Sequence, residues 1–131
     1  MITTEFGKFL REKRKEHEKT QEYIAKLMGK KKMLISGMET GKNNPPQGKD
    51  LENMMCALGL DDNEKNEFRK KAAFARNTLP DEIINMIKED ERILEILYEI
   101  KQTKFTNQKY KKIIEILGGK KWVQIFKQKQ I

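Results

Sequence analysis

Between residues 20 and 41 the chain places small and apolar residues at offsets that few folds can satisfy. Ala25 stands four residues after Gln21, Gly29 four after Ala25, Ile35 six after Gly29, and Met38 three after Ile35. Two short helices meeting at a steep angle through a tight turn need these residue types. A small side chain at Ala25 lets the helices touch, and a glycine at position 29 permits the positive φ of the turn. Ile24, Met28, Ile35 and Met38 are then the apolar residues that bury the two inner faces.

The surrounding sequence continues this helical rhythm. Phe6, Phe9 and Leu10, with the stem of Lys13, form the first amphipathic turns, and Thr3 or Thr4 is the expected N-cap. Thr20 precedes a second helix, "QEYIAKLM", which Gly29 ends. "KKMLISGMET" is a third, stopped by Gly41, and the "NNPP" after it cannot extend a helix. Leu51, Met54, Met55 and Leu58 stand at i, i+3, i+4 and i+7 of a fourth helix, which Gly59 closes and on which Leu60 folds back. Cys56 is expected in that helix's core among these residues. Asp61 and Glu64 have the spacing of a capping box for a fifth helix with Phe68, Ala72 and Ala75 inside.

"RNTLPDE" reads as a boundary. It divides a five-helix domain at residues 1–78 from a smaller helical extension at 79–131. In the extension, Ile93, Ile96, Leu97 and Ile100 keep helical spacing, and Thr106 caps a helix with Tyr110, Ile113, Ile114 and Leu117 inside. Trp122, Ile125 and Phe126 follow, as further core or as a partner surface. No stretch alternates apolar and polar residues over β-branched content, so the expected class is all-α.

Charge then narrows the partners. The 131 residues carry 28 Lys plus Arg against 20 Asp plus Glu, a net +8. The excess is uneven: +4 over residues 1–60, −4 over 61–99 and +8 over 100–131. Such a balance favours an anionic partner, either nucleic acid or a membrane surface. No apolar run approaches the roughly 18 residues of a membrane span. The first residues lack a basic-then-apolar signal pattern, and the single cysteine allows no internal disulfide or cysteine metal cage. A cytoplasmic protein without a cofactor is expected. His17 sits among charges with no ligand set around it. No nucleophile–base pair, phosphate-binding glycine loop or metal spacing occurs, so no enzymatic activity is expected.

The residues "TQEYIAKLMG" and "LISGMETGKNNPP", flanked by "FGKFLREKRK" and "LENMMCALGL", resemble the helix-turn-helix of Cro-type and XRE-type bacterial and phage repressors. The resemblance covers roughly residues 4–78. It implies that the helix at residues 31–40 enters the major groove, with its first residues at base edges. Lys32 and Met33, together with Ser36 and Gly37, would then face the bases, Met33 as a thymine-methyl contact or as plain surface. Lys30 and Lys31 at the helix start, and Lys42 and Asn43 after it, would reach phosphate. Gln21 would add its amide to a helix N-terminus there. Arg14 and Glu39 match a pair that bridges the first and third helices of the family.

The chain also departs from the family pattern. Gly37 stands where a long polar base reader is common; this removes a contact, costs roughly 1 kcal/mol of helix stability against Ala, and could admit a close backbone approach to DNA. Lys30 and Lys31 replace an apolar residue and a Ser or Thr N-cap, and Lys19 replaces an apolar residue. The function so implied is a transcriptional regulator, a repressor, binding a near-palindromic operator as a dimer. The alternative is an antitoxin-like or phage-encoded inhibitor whose extension binds a protein while the first domain regulates its own promoter. RNA is a weaker option, because an aromatic stacking platform is lacking.

Overall fold

The structure is a computed structural model that describes residues 4–119. Among the described residues there are eight helices and no strand. They are α1 (Glu5–Glu16), α2 (Gln21–Met28), α3 (Lys32–Thr40), α4 (Gly48–Leu58), α5 (Asp62–Ala75), α6 (Asp81–Glu89), α7 (Glu91–Gln102) and α8 (Asn107–Ile116). The expected segment around Trp122, Ile125 and Phe126 lies outside the described residues.

Local chemistry sets the helix ends. Thr4 accepts from the Gly7 amide at 2.9 Å, Thr20 from Tyr23 at 3.0 Å and Thr106 from Lys109 at 3.3 Å. Asp61 and Glu64 close a full capping box, with bonds of 2.8 and 3.1 Å. Gly29, Gly41 and Gly59 end α2, α3 and α4 in the left-handed region, where a side chain would be strained.

The chain divides into two compact units, Met1–Ile84 and Asn85–Ile131. In the first, α1 packs on α3 and α5, α2 packs on α3 and α4, and α4 packs on α5. Phe6, Leu10, Ile24, Ile35, Met54, Met55, Leu58 and Phe68 are fully buried, with Phe6 edge-on to Phe68 at 5.0 Å between centroids. Leu60 is buried as well. The division falls inside α6, beyond the sequence boundary at residue 78. Asp81 and Glu82 line one cleft with Pro46, Gln47, Arg69 and Arg76, so the first turn of α6 belongs with the first unit.

Three burial expectations need correction. Cys56 is exposed. It lies one position past Met55, about 100° around α4, and Ala57 is buried in its place. Ala75 is exposed and Ala73 is buried, because the inner side of α5 turns toward the cleft at Pro46. In the second unit none of residues 85–119 is buried. Leu117, expected inside, is 74% exposed, and Ile96 and Leu97, given helical spacing, are 56% and 43% exposed. Two short helices, α7 and α8, leave too little apolar surface to cover each other.

Gly7 sits where α1 crosses the end of α3. A Cβ there would come within 2.6 Å of the Glu39 carbonyl oxygen and 2.8 Å of that of Met38. Glu64 does more than cap α5: its carboxylate also takes bonds from His17 Nε2 at 3.0 Å and Lys13 Nζ at 3.2 Å. The backbone bond from Asp61, helped by these two and opposed by desolvation, pulls its pKa down to about 2.

Two measurements test this packing. Gly7→Ala should cost about 1–3 kcal/mol, since backbone on both sides must shift, read as a lower thermal midpoint. Because the Glu64 pKa is lowered on folding, its contribution is complete above the ordinary value of 4.5 and lost as pH falls toward 2. Glu64→Gln should therefore unfold several degrees early at pH 7, and its gap to wild type should close between pH 4.5 and 2. A gap independent of pH would contradict the role given to the carboxylate.

Candidate nucleic-acid interface

The interface begins with the wedge at Ala25. This side chain is 2% exposed, which lets α2 and α3 approach closely. The turn between them runs through Gly29 at φ 66°, and the Lys30 amide donates to the Ala25 carbonyl at 2.8 Å. Ile35 and Met38 face inward, so the opposite side of α3 faces out.

Arg14 and Glu39 hold the far end of α3. The guanidinium reaches the carboxylate through two parallel bonds, Nε to Oε2 at 2.7 Å and Nη2 to Oε1 at 3.1 Å. Its third nitrogen donates to the Lys19 carbonyl at 3.0 Å. Glu39 is 5% exposed, so a charge is buried here with its partner and with matched geometry. One side chain thereby ties α1, the chain entering α2, and the end of α3.

The remaining site residues surround the start of α3. Lys31 is the N-cap and makes no side-chain cap bond, in line with the loss of a Ser or Thr there. Lys30, Lys31, Lys32 and Met33 are all exposed, Met33 at 78%. Lys30 lies 3.6 Å from Asp50 and Lys32 lies 3.6 Å from Glu22, both pairs in contact with solvent. Such pairs contribute roughly 0–1 kcal/mol and yield to a stronger anion. Among the described residues Lys31 and Lys42 have no acidic partner. Gln21 is half-buried in the first turn of α2, and Ser36 is half-buried on α3. Lys19 lies over the Tyr23 ring, 4.9 Å from its centroid, which accounts for a lysine at a position the family keeps apolar.

Gly37 is placed differently from the expectation of an open backbone. It is buried, because the side chain of Asn43 lies over it. The Asn43 backbone amide donates to the Gly37 carbonyl at 2.9 Å, and Asn43 Nδ2 donates to the Leu34 carbonyl at 3.4 Å. No spacing within the helix signals this seat, which depends on the left-handed turn at Gly41. Thr40, also exposed, was not anticipated at the interface; its hydroxyl donates back to the Ser36 carbonyl at 3.2 Å.

Residues 5–68 match the family model of a helix-turn-helix domain. The match runs from α1 into α5 and includes every residue of the face just described. It supports a DNA-binding regulator of the helix-turn-helix class. No curated protein matches the chain. Among the described residues no helix is long and apolar enough to cross a membrane, and no group of three His, Cys, Asp or Glu could hold a metal ion.

Removing one side of the buried fork should be costly. Glu39→Ala leaves a guanidinium without its carboxylate in a site of low exposure, and a loss of about 3–5 kcal/mol is expected in chemical denaturation. A loss below about 1 kcal/mol would show that the pair does not hold α3 in place.

Proposed function

We propose that the chain is a sequence-specific double-stranded DNA-binding transcriptional regulator. It acts in the cytoplasm as a repressor, binding a near-palindromic operator as a dimer through the helix at residues 31–40. One observation carries this reading. The start of α3 presents Lys30, Lys31, Lys32 and Met33 to solvent within a stretch that matches a helix-turn-helix domain. Lys32, Met33 and Ser36 meet base edges. Lys30, Lys31 and Lys42, with Gln21 at the start of α2, meet phosphate, where uncapped backbone amides add their own partial charge. In a dimer, half-sites about 34 Å apart would place both copies of α3 in successive major grooves.

A specific observation also favours a second reading. The second unit exposes Leu94, Ile96, Leu97, Tyr98, Phe105, Ile116 and Leu117. Exposed large apolar residues in this number favour an interaction site. It serves either the dimer or, as in antitoxin-like and phage-encoded inhibitors, a protein partner, with the first unit regulating its own promoter. The mass of the full chain in solution separates the two: a homodimer supports the repressor reading, whereas a monomer that pairs one-to-one with a co-purifying protein supports the second.

The groove assignment is tested by titration over a range of salt. Lys42→Ala should weaken all duplexes alike and reduce the salt slope by about 0.9, one released counterion. Lys32→Ala should instead relax preference at one base pair by roughly 1–3 kcal/mol. Unchanged binding in both variants would place the interface elsewhere on the molecule.

A further inference from the structure

Position 37 occupies the middle of the outward face of α3. It lies four residues after Met33, which is 78% exposed, and three before Thr40, which is also exposed. By helical geometry a side chain at 37 would stand between those two. Gly37 supplies none, and yet the place is filled. A Cβ on Gly37 would come within 2.7 Å of Asn43 Cγ, and closer still to Nδ2. Asn43 therefore provides the surface where a residue of the helix would ordinarily stand.

Its carboxamide is held ready. Gly41, at φ 82°, turns the chain back so that the Asn43 amide donates to the Gly37 carbonyl at 2.9 Å. The side-chain Nδ2 donates to the Leu34 carbonyl at 3.4 Å. A carboxamide has two N–H donors and one acceptor oxygen. One donor is engaged with Leu34, which leaves one N–H and Oδ1. That donor–acceptor pair matches the N7 acceptor and N6 donor of adenine in the major groove. A side chain held by a hydrogen bond, on a backbone itself bonded to Gly37, also loses less conformational freedom on binding.

We propose that Asn43, reaching over Gly37 from the loop after α3, takes the place of a helix residue as the reader of one adenine in the DNA site. This rests on the DNA-binding reading above, and it moves Asn43 from a phosphate contact to a base contact. Gly37 is then the recess that seats the reader, and not a gap through which the backbone meets DNA.

The test uses the full chain. A duplex selected from a random pool by wild-type protein is substituted one base pair at a time, and each affinity is measured for wild type, Asn43→Leu and Gly37→Ala. Leucine has nearly the shape of asparagine and keeps Gly37 covered, but it cannot hydrogen-bond. Alanine at 37 displaces the Asn43 side chain by rotation and leaves both the helix and the asparagine in the chain, so it provides a second route if Asn43→Leu does not fold. Wild type should prefer A·T at one position by roughly ten-fold or more, and both variants should lose that preference while keeping those at other positions and the salt slope. If folded variants bind all duplexes more weakly by one common factor, or retain every preference, Asn43 is only a brace for the loop, and this proposal fails while the DNA-binding reading stands. A wild-type protein that binds no duplex, or all duplexes equally, overturns both.

Discussion

The fork between Arg14 and Glu39 is the interaction on which the first unit depends. A carboxylate this deeply buried is tolerable only when fully partnered, and here both oxygens receive a guanidinium N–H. The remaining arm of that guanidinium takes the carbonyl of Lys19, immediately before the cap of α2. The helix that carries the lysine face is thus fixed at its end to α1 and to the start of its sister helix. Gly7 lets α1 approach the same end more closely than any side chain would allow. Without this anchorage α3 would be held to the core mainly by Ile35, Met38 and Leu34, and apolar contact does not select one rotation of a short helix as a directional ion pair does.

Much of the first unit was legible because its signals are local. Thr4, Thr20 and the Asp61 and Glu64 pair act within three residues of themselves, and the three glycines ending α2, α3 and α4 act at their own φ. What a local pattern cannot settle is rotation by a single residue. Cys56 follows two core methionines and lies outside the core they belong to; Ala75 continues the spacing of Phe68 and Ala72 and yet is exposed. The site was legible in part. Lys30, Lys31, Lys32 and Met33 stand at the surface, where their charge and position suggested. The seat of Asn43 on Gly37 was not legible, because it depends on the path of the loop after Gly41 and not on spacing within the helix.

The second unit shows how far periodicity can mislead. Ile93, Ile96, Leu97 and Ile100 have the spacing of a buried stripe, but spacing states only that a face is apolar. Whether that face is covered depends on what lies opposite. The cap at Thr106 forms as expected and Asp90 adds a second, so the helices are well specified while their apolar surface is not consumed within residues 85–119. Exposed apolar surface of this kind is what the association proposed above would cover.

The acidic residues near α3 fit the same picture. Glu22 and Asp50 sit on α2 and α4, the helices beside α3, and each lies 3.6 Å from a lysine at its start. At that distance in water the attraction is of the order of 1 kcal/mol before screening. It is enough to bias where a flexible ammonium spends its time and too little to withhold it from a duplex carrying one phosphate about every 1.7 Å of axis. Lys31 and Lys42, without such neighbours among the described residues, would in the proposed reading contribute their full charge to encounter with any sequence. In the proposed reading, discrimination would fall to the groups whose geometry is set before contact, and on this face the carboxamide held over Gly37 is one of them.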